Sequence, residues 1–203
     1  MTPLHRILLA TLAAFSLMLG SAAAEPTATE QRIRELAQKQ PTSSVVFLEV
    51  KLLEEGKDYF CNVISVNVVS DEGYSTSFLT QNAHAVAFTG RAGDGAEYGG
   101  TAFLPAGTYT VVSVECRSLL RLNGKFARFR VGPNEIVNAG CLVIDFKTGP
   151  MTLFERRTFS GRTSVEGTAT KTAQSLAERA PTLFPKAAKR YMASNAATSG
   201  KKP

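Results

Sequence analysis

Between Ser43 and Phe159 apolar and polar residues alternate with period two in short runs rich in Val, Ile, Leu and Phe. Such runs predict half-buried strands. They fall at 44–53, 59–69, 74–79, 84–88, 101–104, 108–116, 126–131, 136–145 and 151–158, and the intervals between them hold Gly, Pro, Asn or Asp, the residues a reversing backbone needs. No helical stretch separates one strand from the next. The pattern therefore predicts an all-β domain over 43–159, an antiparallel β-sandwich of about seven to nine strands.

Outside that block the period changes. Thr27 followed by Glu30 has capping-box spacing, Ile33, Leu36 and Ala37 form a narrow apolar stripe, and Pro41 stops the run, which predicts a short N-terminal helix over 28–39 within a segment 25–42. After Arg162 helical spacing returns. Thr168 to Arg179 sets Ala169, Ala173, Leu176 and Ala177 on one side, and Pro181 ends it. A second helical piece opened by Pro185 would place Phe184, Ala187, Ala188, Tyr191 and Met192 on one face and Lys186, Lys189 and Arg190 on the other, giving 160–203 the character of a basic helical tail with a disordered end from 194.

The first 24 residues read differently from all of these. Arg6, the apolar run from Ile7 to Leu19 and the small residues Ser21-Ala22-Ala23-Ala24 follow the order of a secretory signal peptide, with cleavage expected after Ala24 and a mature chain beginning at Glu25. The alternative is an uncleaved anchor, which Thr11, Ser16, Gly20 and Ser21 weaken. The expected location is thus periplasmic or secreted.

Removing the leader leaves 179 residues with 22 Lys and Arg against 17 Asp and Glu, a net charge of +5. That charge is polarised. From Lys147 onward 11 basic residues face only Glu155, Glu166 and Glu178, so the tail is suited to an anionic partner, which outside the cytoplasm means a membrane surface, an envelope glycan or an acidic protein rather than nucleic acid. Within the strands, Arg128 and Arg130 alternate with Ala127, Phe129 and Val131 and should share one outer face. An anion-binding stripe made of Arg128, Arg130, Lys186, Lys189 and Arg190 is the functional reading; an ordinary solvated surface is the bland one.

Cys61, Cys116 and Cys141 lie in strand-like runs, and an oxidising compartment favours one disulfide among the three pairings. Cys116 with Cys141 ranks first, since it closes a loop of about 25 residues worth roughly 3 kcal/mol in the chain-entropy model. A two-residue hairpin at Asn123-Gly124 would speak against it, by separating the two thiols along the sheet.

The stretch Phe103-Leu104-Pro105-Ala106-Gly107-Thr108-Tyr109-Thr110-Val111, with Val131-Gly132-Pro133-Asn134-Glu135 and Gly140 further on, resembles the Leu-Pro-x-Gly-x-Tyr and Val-x-Pro-Gly-Glu turns of exported bacterial sandwich domains related to prealbumin-like and carboxypeptidase-regulatory-like modules. The resemblance covers about 40 residues and departs from the pattern at Asn134, where Gly is preferred. It implies that the first turn opens a central strand and that the second closes a hairpin. It also implies a binding or structural role rather than catalysis.

Catalytic groups are sparse. His84 is the one histidine left after leader removal, no Gly-x-Ser-x-Gly elbow occurs, and no metal-ligand spacing or cofactor motif is present in the sequence. The Gly-rich stretch 90–100 is the most ligand-like segment, with Arg91, Asp94, Glu97 and Tyr98 as candidate contacts. The sequence therefore favours a non-enzymatic envelope binding module without a cofactor. The alternative is a hydrolase or metal-dependent enzyme using His84 with Asp94 and Glu97.

Overall fold

A computed structural model describes residues 25–61, 63–78, 85–88, 97–116, 120–149, 159–167 and 170–195. The expected signal peptide at 1–24, the expected strand at 151–158, and His84, Arg91 and Asp94 lie outside these residues. Among the described residues two helices, α1 (Ala28–Lys39) and α2 (Thr170–Arg179), accompany twelve strands: β1 (Ser43–Glu54), β2 (Lys57–Asp58), β3 (Ile64–Ser70), β4 (Ser75–Phe78), β5 (Ala85–Phe88), β6 (Glu97–Pro105), β7 (Gly107–Cys116), β8 (Leu120–Val131), β9 (Ile136–Thr148), β10 (Phe159–Glu166), β11 (Ala188–Lys189) and β12 (Ala193–Ser194). The chain is all-β, as the period-two pattern requires.

The strands form two sheets. Sheet A runs β10-β9-β1-β6-β5, with β2 added to β1 and β11 to β9; sheet B runs β12-β8-β7-β3-β4. Pairing is antiparallel except where β1 and β11 lie parallel to β9. The inward side chains of sheet A, among them Val46, Leu48, Val50 and Leu142, share one apolar cluster with Val66, Val68, Val111, Val114 and Phe129 of sheet B. Phe78, Tyr109 and Ile64 complete it with almost no exposure. Burial of β-branched and aromatic side chains on this scale supplies the main drive to fold.

The opposite face of β1 carries Val45, Phe47, Glu49 and Lys51, and here a second cluster forms. Ile33 and Leu36 of α1, Leu176 of α2, Ala180 and Leu183 close over Val45, Phe47 and Phe103, with Phe184 edge-on to Phe47 at 5.2 Å between ring centroids. Helix α1 occupies the expected span, and Thr27 Oγ1 accepts the Glu30 N–H at 3.1 Å while donating to the Arg179 carbonyl at 2.5 Å. Glu30 does not turn back to complete a capping box. Its fully buried carboxylate instead accepts from the Thr182 N–H (2.8 Å), the Thr182 hydroxyl and the Arg34 guanidinium (2.8 and 3.0 Å), fastening α1 to the segment after α2.

Three expectations are corrected. Cys116 pairs with Cys61 and not with Cys141: β3 lies beside β7 with Ile64 opposite Cys116, which sets the two Cα atoms 5.5 Å apart, whereas Cys141 sits in sheet A on the side away from sheet B and is a free, buried thiol. Asn123-Gly124 is no hairpin turn, because β8 starts at Leu120 opposite Cys116 and the two residues lie inside the strand beside a register shift. Beyond α2 the chain is not a helix either. Phe184–Lys186 make one 3₁₀ turn, and the chain then runs extended across both sheets, where Arg190, Met192 and Asn195 donate backbone N–H bonds to the carbonyls of Asn138, Ala139 and Phe126. Met192 is buried in the main core, and a helix of a few residues is marginal in water, so strand pairing wins.

The motif turns differ from one another in the same way. Pro105-Ala106-Gly107 carries the chain from β6 in sheet A to β7, a central strand of sheet B. Gly132 to Glu135 does not close a hairpin: β8 and β9 belong to different sheets. Asn134 takes a left-handed φ of 53° there, a conformation Asn tolerates better than most residues.

Candidate binding face

Both helices pack on sheet A, and the outer face of sheet B carries neither. Strand β8 alternates as its sequence dictates, sending Phe129 and Val131 inward and Arg128 and Arg130 out to solvent. Cross-strand register sets Thr110 opposite Arg128 and Thr108 opposite Arg130, so hydroxyls and guanidiniums share one surface. Further along, Asn67 Nδ2 donates to Ser113 Oγ (2.6 Å) and Glu115 Oε1 (3.2 Å), Ser77 Oγ donates to Asn67 Oδ1, and Arg121 Nε pairs with Glu115 at 3.2 Å. The face is mainly polar, although Val69 shares it opposite Thr110, and its middle is held by these bonds.

At one end of this face lies a depression of about 360 Å³ lined by Ser70, Asp71 and Glu72, by Ala106, Gly107 and Thr108, and by Arg130 to Pro133. It exists because three turns far apart in sequence finish at one edge: β3 ends with Ser70 opposite Tyr109, and β7 begins with Gly107 opposite Val131. Each turn is pinned by a side chain. Ser70 Oγ accepts the Tyr74 N–H at 3.0 Å, Tyr109 Oη donates to the Pro105 carbonyl at 2.8 Å, and Ser44 Oγ donates to the Gly132 carbonyl and accepts the Glu135 N–H, both at 2.7 Å. Burial, reinforced by the nearby Tyr74 and Glu72, pushes the Tyr109 hydroxyl up to about 12, which keeps its proton in place as a donor at neutral pH. The Asp71 N–H bonds to the Thr108 carbonyl at 3.0 Å and ties two of the walls together.

Of the stripe predicted from sequence, Arg128 and Arg130 do share the outer face. Arg128 is neutralised by Asp71, while Arg130 makes no ion pair among the described residues. Lys186 and Lys189 are exposed on the C-terminal segment, and Arg190 binds Glu135 at 2.6 Å. Since Glu135 Oε2 also accepts the Gly132 N–H at 3.2 Å, the basic segment abuts one wall of the depression.

The other predicted contacts lie elsewhere. Glu97 and Tyr98 belong to β6 rather than to a loop; Tyr98 is buried and accepts the Cys61 N–H at 2.5 Å. Glu97 sits under α2, where it accepts from Thr172 Oγ1 (3.0 Å) and Lys51 Nζ (3.3 Å). Burial works to lower the Lys51 pKa, but the hydrogen bond and charge of Glu97, with Asp58 behind, outweigh it and the net shift is upward. Beside them Glu49 and Cys141 are also buried; burial first, then the charges of Glu49, Glu97 and Glu166, raise the Cys141 thiol far above neutrality, so it is no nucleophile. Among the described residues no three His, Cys, Asp or Glu side chains are grouped to hold a metal ion.

Sequence reasoning overlooked Ser70, Asp71, Glu72 and Gly132, which read as turn residues only, and Thr108, which read as the start of a strand. The signal that could have found them is the coincidence of three capped turns on neighbouring strands, which becomes visible once strand order is known. No family model, curated protein or solved structure matches the chain.

Proposed function

We propose that the chain is an exported, non-enzymatic binding module of the cell envelope, built as a β-sandwich and resting on an anionic surface through Lys186, Lys189 and the guanidinium side of sheet B. The observation that carries this reading is the asymmetry between the two outer faces: among the described residues one is closed by helices, while the other turns Arg128 and Arg130 to solvent, and the exposed Lys186 and Lys189 lie on the segment that pairs with β9 of sheet A. The apolar cluster shared by the two sheets supports the sandwich. The leader-like residues 1–24 support export, with the mature chain starting at Glu25. The turn at Pro105, which leads into a central strand of sheet B, agrees with the resemblance to exported prealbumin-like modules, whereas the turn at Pro133 does not close a hairpin.

Attachment of this kind is electrostatic and falls with salt, because the screening length shrinks from about 30 Å at 0.01 M to about 3 Å at 1 M. Sedimentation of the purified protein with phosphatidylglycerol vesicles is expected to be strong at low salt, to collapse at high salt and to weaken in the Lys186→Glu, Lys189→Glu double variant. Absence of sedimentation at low salt would sink the surface reading. N-terminal sequencing of the exported fraction tests the compartment, and a chain that still begins at Met1 would contradict it.

A further inference from the structure

We propose that the depression at the end of sheet B is a binding site for a small zwitterion, an amino acid or dipeptide carrying a free ammonium and a free carboxylate. Its charged lining is mixed. Asp71 is held by Arg128, which leaves Arg130 and Glu72 as the two lining charges that form no ion pair among the described residues. An anion alone would meet Glu72 and a cation alone would meet Arg130, whereas a ligand with both signs satisfies both by charge-assisted hydrogen bonds. Thr108 lines the same depression and offers a hydroxyl as a neutral donor and acceptor.

Size and rigidity agree with this class. A volume of about 360 Å³ lies at the small end of the range for ligand sites and suits a molecule of dipeptide size. The walls are pre-organised by the side-chain bonds of Ser70, Tyr109 and Ser44 and by the Asp71–Thr108 backbone link, so little ordering is left for the ligand to induce. Gly132 is part of the construction. A Cβ there would lie 2.3 Å from Glu135 Oε1, so only glycine lets that carboxylate cap the turn from beneath.

This site shares Arg130 with the proposed attachment surface, but it uses a balanced pair of charges rather than net positive charge. Calorimetric titration of the purified protein with glycylglycine, N-acetyl-glycylglycine and glycylglycinamide separates the two ideas, because vesicle binding is read in a different assay. The expected result is saturable binding of glycylglycine with a Kd of about 1 mM or tighter, and a loss of about tenfold for each blocked form. Arg130→Gln is expected to lose about tenfold and to become indifferent to amidation, and Glu72→Gln to lose a similar factor and become indifferent to acetylation. Both positions are at the surface, and an unchanged thermal midpoint confirms folding. Absence of binding by the wild type, equal binding of the three dipeptides, or wild-type affinity in both variants would overturn the assignment.

Discussion

The two outer faces of this molecule are made from the same kind of strand and end up in opposite environments. On sheet A, Val45, Phe47 and Phe103 are apolar, and α1, α2 and the 3₁₀ turn cover them. On sheet B, outward positions include Thr108, Thr110, Asn67, Ser77, Arg128 and Arg130, polar side chains of which Asn67 and Ser77 bond to each other and Arg128 to Asp71. The difference teaches that the covered face is a second core that fixes where the helices go. The bare face is free to meet something else.

That contrast can be broken by substitution. Phe47→Ala should cost about 3 to 5 kcal/mol in urea unfolding, because the cavity would open beneath Phe184, Ile33 and Leu176, while Thr110→Ala on the bare face should stay within about 0.5 kcal/mol. Similar losses at the two positions would erase the distinction. Next in size is the bridge between β3 and β7. Its 55-residue separation is worth about 4 kcal/mol in the chain-entropy model, so the Cys61→Ser, Cys116→Ser double variant should show a loss in the range of about 2 to 5 kcal/mol.

The helical cover has its own weak point in acid. Burial pushes the Glu30 carboxyl upward, but its bonds from Thr182 and Arg34 prevail and hold it below its ordinary value. A depressed carboxyl stabilises the fold above the unfolded pKa near 4.5, and that contribution fades as pH falls through the folded value. Glu30→Gln should therefore cost about 2 to 3 kcal/mol at pH 7 and flatten the acid limb of the stability profile, as read by denaturant midpoints from pH 7 downward. On the bare face the expected effect is smallest: Arg128 and Asp71 are each about half exposed, and Arg128→Ala should change stability by less than about 1 kcal/mol.

Local pattern was enough for some of this architecture and not for the rest. Helix α1 and strands β1, β7 and β9 follow from local pattern and turn residues alone: α1 and β7 bury one face, and β1 and β9 are short runs rich in apolar residues, buried on both faces and bounded by turn residues. The outward setting of Arg128 and Arg130 was legible for the same reason. What the pattern cannot carry is which strands become neighbours: the parallel β1–β9 pair, the placing of Cys61 beside Cys116, and the meeting of three turns around the depression all depend on contacts between distant residues. The segment 180–195 misled for a related cause. Its apolar residues fit a helical face, yet Met192 and the backbone N–H groups of Arg190 and Asn195 find better partners on β9 and β8.

The route of that last segment sets the order in which the molecule can be completed. The ribosome delivers the chain from its N-terminus, and a polypeptide released only as far as Ala180 already holds α1, α2 and β1 to β10 but lacks Met192 and the stitch between β9 and β8. Closure waits for nearly the final residues, and β1 must find β9 across some ninety residues of intervening chain, an arrangement dominated by non-local contacts and so slow to assemble. Loss of the segment that holds Met192 would therefore be felt in the centre of the core.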